Sequence, residues 1–151
     1  MHLYEAHLPV ANTELSKQFY TTVVGLEFAH HDSTRDVVFL WAGADRRSMI
    51  GLWGPTTSLG RDFRKGHIAF AIPLAELVQA GETLRGRGVI VRNFLDEETT
   101  EPSVIGWMPS AQIYFSDPDG HSLEFIALLD EPPNPAFIGP YSKWKAKGKR
   151  A

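Results

Sequence analysis

Three residues of this chain have side chains that could do chemistry together: His7, His67 and Glu124. Two imidazoles and one carboxylate are the donors that many divalent cations accept. A lone histidine in a strand is more often structural, and a lone inward glutamate usually pairs with an arginine. However, the three residues fall at matching places in what looks like one unit written twice. That repetition favours joint binding of a metal ion.

The elements that must position these residues follow one order twice. Alternating apolar residues predict strands over 3–10, 26–31, 36–41 and 48–53. Leu15, Phe19 and Val23 predict a helix that starts at Asn12 or Thr13 and ends at Gly25. In the second half we predict a helix over 74–85 and strands over 66–72, 89–92, 111–115 and 122–128. The order β-α-β-β-β therefore occurs twice, which indicates a duplication.

This order predicts one domain over 1–128, with module one at 3–54, a linker at 55–65 and module two at 66–128. The linker contains proline, threonine, serine and glycine, which is typical of a loop. Module two carries an insertion over about 93–109, which is either a mobile loop over a site or a simple connection. Residues 129–151 form a basic tail, which we expect to be solvated or disordered, with an interaction tail as the alternative.

Strand alternation places the three candidate ligands on the face opposite the apolar side chains of their own strands. His67, for example, alternates with Ile68 and Phe70. A polar group buried without a partner costs several kcal/mol, so each candidate needs compensation. In module one, the place equivalent to Glu124 is occupied by Gly51.

Composition excludes several classes of protein. The chain is 43% hydrophobic and 22% charged, which is typical of a globular domain. Its formal net charge of -3 argues against nucleic acid as a partner. No apolar run approaches the roughly 20 residues that span a bilayer, so we expect no membrane partner. The chain has no cysteine and no signal pattern at its start, and we expect a cytoplasmic location.

The chain resembles the vicinal oxygen chelate superfamily, which includes glyoxalase, bleomycin-resistance, fosfomycin-resistance and extradiol dioxygenase proteins. The resemblance covers about 3–128 and is carried by His7, Phe19-Tyr20, Val24-Gly25-Leu26, the segment 66–70 and the closing segment 114–124. It implies an α+β fold in which two tandem βαβββ modules form a half-barrel around a metal cavity. It also implies a homodimer.

The resemblance implies a divalent-metal-dependent enzyme, namely a lyase, isomerase, transferase or dioxygenase, acting on a small molecule with adjacent oxygen atoms. His7, His67 and Glu124 would hold Mn²⁺, Fe²⁺, Ni²⁺ or Zn²⁺. Glu5 and Tyr114 are the candidate acid–base or supporting groups. The candidates for substrate binding are Trp41, Met49, Trp53 and Gln112. Aromatic residues at such strand positions are, however, more often part of a core.

Departures from the patterns of individual families leave the reaction open. Lactoylglutathione lyase uses four protein ligands, and Gly51 stands where one of them is expected. The fosfomycin-modifying transferases carry basic and hydroxyl residues after the last ligand, whereas this chain has 125–130, Phe-Ile-Ala-Leu-Leu-Asp. Dioxygenases add a tyrosine, for which Tyr114 is suitable, and a histidine that we cannot place.

The alternative function needs no metal. Bleomycin-resistance proteins sequester a drug in an aromatic groove, and Trp41, Trp53 and Trp107 are suited to stacking on a planar molecule. A purely structural or regulatory dimer has no positive support in the sequence.

Overall fold

The computed structural model describes residues 1–148. The chain folds into two compact units. Unit 1 comprises Met1–Gly66 and Asp117–His121, and unit 2 comprises His67–Ser116 and the described residues from Ser122 onward. The short segment 117–121 thus packs with unit 1, although the strands on either side of it belong to unit 2.

Unit 1 contains a four-stranded sheet of order β1-β4-β3-β2. Its first and last strands in sequence run parallel, and the other pairs are antiparallel. Helix α1 contacts β3 and β4, and Leu8, Leu40 and Leu52 are buried. The elements are β1 Glu5–Pro9, α1 Thr13–Phe19, a π-helical continuation Tyr20–Val24, β2 Glu27–Asp32, β3 Val37–Ala42, β4 Ser48–Trp53 and α2 Ser58–Arg61.

The start and the end of the first helix are set by local chemistry. The Asn12 side chain accepts a hydrogen bond from the Leu15 amide, which confirms the predicted N-cap. Gly25 ends the π-helical continuation with φ of 90°, in the left-handed region that favours glycine.

Unit 2 contains a five-stranded sheet of order β5-β8-β7-β6-β9. The β5–β8 pair is parallel, and the β8–β7, β7–β6 and β6–β9 pairs are antiparallel. Helix α3 contacts β7 and β8, and its Leu77 and Leu84 are buried. The elements are β5 His67–Ala71, α3 Leu74–Gly86, β6 Ser103–Ile105, β7 Ser110–Ser116, β8 Ser122–Leu128, β9 Ile138–Pro140 and α4 Tyr141–Gly148.

The α+β class and both βαβββ modules are confirmed, but one predicted strand is wrong. Residues 89–92 form no strand in the described structure, and Arg92 makes only isolated bridges to Tyr114 and Glu98. The chain turns immediately afterwards, because the Asn93 side chain accepts hydrogen bonds from the amides of Leu95 and Glu97. The missing strand is instead β6, which lies inside the predicted insertion.

The tail also differs from the expectation of a solvated or disordered end. Strand β9 pairs with β6, and α4 follows it directly. Phe137 and Trp144 are buried with their ring centroids 5.0 Å apart. Burial of these two aromatic side chains stabilises the ordered segment despite its basic composition. Lys149 and Arg150 of the predicted tail lie outside the described residues.

The linker contains the short helix α2, for which Thr57 is the N-cap. Among residues 1–148, none of the helices has the length and apolar character needed to cross a bilayer.

Candidate functional site

The polar face of the unit 2 sheet brings three predicted site residues together. Strand β8 lies between β5 and β7, and its Glu124 pairs with Ala69 on one side and Tyr114 on the other. His67 lies two residues before Ala69 and therefore on the same face. Its Nε2 is 3.0 Å from Oε2 of Glu124, and its ring centroid is 6.3 Å from that of Tyr114.

The His67 ring is held at both nitrogens. Nδ1 lies 3.1 Å from the hydroxyl of Ser122, which is its direct partner across the parallel strands. A hydroxyl can either donate or accept, so Ser122 supports both neutral tautomers of the imidazole. In the tautomer with the proton on Nδ1, the Nδ1–H group donates a hydrogen bond to the Ser122 hydroxyl. The Nε2 atom then has a free lone pair that faces Glu124. That arrangement is suited to a metal-binding histidine.

Glu124 is an unusually buried carboxyl group, with only 7% of its surface exposed. Burial raises its pKa above the ordinary value, and the neighbouring His67 and the Tyr114 hydroxyl oppose that shift. The carboxylate is therefore poorly solvated in the protein alone. A bound cation would favour its charged form.

Tyr114 lies beside this carboxyl group and is half-buried. Burial and the nearby Glu124 carboxylate raise the pKa of its phenol to about 12, so it stays protonated at neutral pH. A hydrogen bond from the Gln112 amide would oppose this shift, but neither amide atom has a hydrogen-bond partner among residues 1–148. Gln112 itself is fully buried, two residues along the same face.

In unit 1 the predicted residues Glu5 and His7 form a pair on strand β1. His7 Nε2 is hydrogen-bonded to Oε1 of Glu5, and both side chains are one-third exposed. The imidazole packs against aromatic residues of the same sheet face, with centroid distances of 5.0 Å to Trp53 and 6.3 Å to Phe39. Trp53 Nε1 is buried and has no hydrogen-bond partner among residues 1–148.

Gly51 explains how the imidazole fits there. It is the direct partner of His7 in β1 and of Phe39 in β3. A Cβ atom at position 51 would lie 2.7 Å from Cδ2 of His7 and 3.1 Å from Nε1 of Trp53. The space that a ligand side chain at position 51 would need is therefore taken by the His7 ring and the Trp53 indole.

The remaining predicted substrate-binding residues lie on the same face of unit 1. Trp41 and Met49 are cross-strand partners, and Met49 also pairs with Glu5. Both are partly exposed.

Within residues 1–148, no three side chains of histidine, cysteine, aspartate or glutamate are grouped as a metal site. The His67–Glu124 pair is thus established as a contact, and the three-ligand set stays a prediction.

Sequence reasoning missed two supporting residues. Ser122 could have been found from the parallel register, since it alternates with Glu124 on the ligand face. His121 is fully buried, with Nε2 2.6 Å from the Pro9 carbonyl and Nδ1 accepting from the Gly66 amide at 2.8 Å. No local pattern in the sequence reveals these two long-range partners.

Comparison with known proteins fits this architecture. Residues 2–125 match the family model described as the glyoxalase/bleomycin resistance protein/dioxygenase superfamily. No curated protein matches the chain significantly.

Several solved structures share the fold. An integron cassette protein from the mobile metagenome of the Halifax Harbour sewage outfall is 33% identical, with a TM-score of 0.71 over 84% of this chain and 98% of that one. Lactoylglutathione lyase from Agrobacterium tumefaciens is 22% identical, with a TM-score of 0.66 over 83% and 92%. A superfamily member from Sphaerobacter thermophilus is 23% identical, with a TM-score of 0.62 over 84% and 97%. The last two likenesses concern the fold alone.

The family model covers most of the chain, and the integron cassette protein is similar over nearly its whole length. This chain therefore belongs to the glyoxalase/bleomycin resistance protein/dioxygenase superfamily.

Proposed function

We propose that this protein is a divalent-metal-dependent enzyme that acts on a small molecule with adjacent oxygen atoms. The observation that supports the proposal most is the contact between His67 and the buried Glu124. Nε2 of His67 and Oε2 of Glu124, the two atoms that would bind the metal, lie 3.0 Å apart on neighbouring strands. One imidazole nitrogen and one carboxylate at this separation suit Mn²⁺, Fe²⁺, Ni²⁺ or Zn²⁺.

The donor set fits such a cation in three respects. Glu124 is desolvated, so a nearby positive charge would stabilise its carboxylate. Ser122 hydrogen-bonds to Nδ1 of His67 and so fixes the ring orientation, and the two residues together supply one borderline and one hard donor atom. His7 of unit 1 is the third ligand of the proposal on sequence grounds. When bound, the cation would act as a Lewis acid that polarises the oxygen atoms of the substrate.

The residues of the chain itself would position the substrate and move its protons. Tyr114 is protonated at neutral pH because its pKa is raised to about 12, so it would donate a hydrogen bond to a substrate oxygen. Glu5 would fix the orientation of His7 through their hydrogen bond, or accept a proton from the substrate. Trp41, Met49 and Trp53 would supply an apolar wall.

The reaction that we propose differs from that of a four-ligand enzyme. Position 51 offers no side chain, and the His7 ring occupies the space beside it. A lyase of the four-ligand type is therefore disfavoured relative to the three-ligand reactions of the superfamily. A homodimer and a cytoplasmic location stay part of the proposal.

Metal titration of the purified full-length chain by calorimetry tests the proposal. We expect stoichiometric binding of Mn²⁺ or Ni²⁺ to the wild type, and a loss of affinity of at least about 100-fold in His67→Ala and Glu124→Ala. His7→Ala tests the third ligand separately. His31→Ala, an exposed histidine in β2, is the matched control and should bind like the wild type. Identical affinities in all variants would contradict the proposal.

A second candidate function is metal-free binding of a planar molecule. The packing of His7 against Trp53 and Phe39 supports it, because these rings form an aromatic surface in unit 1. Binding of a planar drug should then quench tryptophan fluorescence equally with and without a chelator. Loss of quenching on adding chelator would reject this alternative in favour of the enzyme.

A further inference from the structure

We infer that the Gln112 carboxamide and the Ser110 hydroxyl form a subsite for a cis-amide group, such as a lactam, covered by the loop 93–98. This inference deepens the proposed function and rests on it only in treating the bound molecule as a substrate. The subsite itself needs no metal.

Both side chains are buried and lack hydrogen-bond partners within the described part of the chain. Gln112 and Ser110 are each 0% exposed. Neither amide atom of Gln112, nor the Ser110 hydroxyl, makes a hydrogen bond to any group in residues 1–148. A buried polar group without a partner destabilises a protein by about 1–3 kcal/mol. The unpaired Gln112 side chain therefore destabilises the fold unless it binds another molecule.

The two residues lie on the face of the sheet that carries the candidate site. Ser110, Gln112 and Tyr114 alternate along β7 and therefore share one face. Tyr114 pairs with Glu124 on that face, and Gln112 lies two residues before Tyr114 on the same strand. A molecule held by Gln112 would thus have its neighbouring atoms beside the phenol and the buried carboxyl group.

The chemistry of the unpaired atoms selects the bound group. The Gln112 amide presents an N–H donor and a carbonyl acceptor side by side. A cis-amide presents the complementary acceptor and donor, so it can form two parallel hydrogen bonds with Gln112. A carboxylate would leave Oε1 of Gln112 unpaired, and an isolated carbonyl would do the same. The Ser110 hydroxyl can add a third hydrogen bond.

The loop 93–98 lies over this part of the sheet. The Phe94 amide donates to the hydroxyl of Ser103 at 3.2 Å, and Ser103 is the cross-strand partner of Gln112. On its other side Ser103 is paired with Pro140 of β9, so the loop cannot lie in the plane of the sheet at that point. It must cross the face on which Ser103 and Gln112 lie.

The loop is held together by hydrogen bonds among its own residues. Asn93 organises the loop. Its side-chain oxygen accepts hydrogen bonds from the backbone amides of Leu95 and Glu97, and its backbone N–H donates to the Glu97 carbonyl at 2.8 Å. Phe94 and Leu95 at its tip are 40% and 64% exposed. Displacement of this loop would expose the Gln112 amide, which is fully buried beneath it.

Nuclear magnetic resonance of the full-length chain in the presence of a chelator tests the subsite. The probe is 2-pyrrolidinone, a cis-lactam, and the control probe is N-methyl-2-pyrrolidinone, which lacks the N–H donor. We expect a saturable shift of the Gln112 side-chain amide resonances with the lactam, and binding at least tenfold weaker with the methylated probe. Equal shifts with both probes, or no shift with either, would overturn the inference.

A substitution separates this role from a structural one. Gln112→Leu should abolish lactam binding and also raise the melting temperature, because it removes an unpaired buried amide. Gln79→Leu, at an exposed position of α3, is the control and should leave lactam binding unchanged. A lower melting temperature in Gln112→Leu would show that the amide stabilises the fold and would contradict the inference.

The covering loop has its own test. Ser103→Ala removes the hydrogen bond to the Phe94 amide, so exchange of that amide and association of the lactam should both become faster. Unchanged rates would overturn the covering role of the loop. These outcomes are independent of metal titration, so this inference and the proposed function can fail separately.

Discussion

Glu124 shows the conflict between stability and function at the scale of one residue. A carboxyl group that is 7% exposed loses hydration, and its raised pKa records that cost. The His67 imidazole and the Tyr114 hydroxyl compensate only in part. Proteins that keep such a group usually use it, because buried titratable residues with shifted pKa values are concentrated at functional sites.

Neutralising this carboxyl group should therefore stabilise the metal-free protein. Because the folded pKa lies above the ordinary 4.5, the folded state binds more protons than the unfolded state above that pH. Stability then falls as the pH rises through the folded pKa. Glu124→Gln should raise the melting temperature at neutral pH while weakening metal binding. Calorimetric unfolding checks this, and a lower melting temperature in the metal-free variant would contradict it.

Tyr114 should ionise late. Burial and Glu124 raise its pKa to about 12 from 10.0, so the folded state favours the protonated phenol. The contribution of Tyr114 to stability is lost as the pH rises from the unfolded value through the folded one. Burial also raises the pKa values of Tyr20 and Tyr141, so ultraviolet difference absorbance should show a late-titrating signal that is reduced by one tyrosine in Tyr114→Phe. Ionisation of that tyrosine near 10 would be inconsistent with its buried position.

At the scale of the elements, alternation within strands determined most of the correct predictions. The ligand faces of β1, β5 and β8 follow from a period of two, and the structure confirms that His67, Glu124 and Tyr114 share a face. The prediction failed where local pattern and tertiary pairing disagree. Residues 89–92 are apolar enough for a strand, but Asn93 turns the chain, and Ser103–Ile105 takes the position beside β7.

Gly51 gives a prediction about how strands β1 and β4 hold the imidazole. Gly51→Ala should displace the His7 ring, because the new Cβ would lie 2.7 Å from Cδ2, and should destabilise the protein by about 1–3 kcal/mol. The nitrogen chemical shifts of the His7 ring report the displacement.

Gly86→Ala is the matched control for this substitution. No described residue has an atom within 4 Å of a new Cβ at position 86, so the His7 resonances should stay as in the wild type. If Gly51→Ala also leaves them unchanged, the close packing of His7 on Gly51 is refuted.

At the scale of the whole molecule, motif segments such as 114–124 carried the family resemblance, and the repeat of β-α-β-β-β indicated the class of fold. It gave neither the assignment of 117–121 to unit 1 nor the packing of the tail in unit 2. Both depend on single side chains that meet partners far along the chain. Tyr20 donates to Asp117 at 2.9 Å, for example, across 97 positions. Spacing patterns contain no information about such contacts.

The packing of the tail predicts a large cost for removing one aromatic side chain. Trp144→Ala should destabilise the protein by about 3–5 kcal/mol, because Trp144 is buried against Phe137. Lys143→Ala, at an exposed neighbouring position, should change stability by no more than about 0.5 kcal/mol. Denaturant unfolding of both variants measures the difference. Equal stabilities would show that the segment contributes nothing to the core.

The most direct measurement for the proposed function is anomalous diffraction from a crystal of the full-length chain soaked in Mn²⁺. We expect one strong peak within bonding distance of both Nε2 of His67 and a carboxylate oxygen of Glu124, and no such peak in a Glu124→Gln crystal. Density that leaves these two side chains hydrogen-bonded to each other at saturating Mn²⁺, without a peak between them, would contradict the account.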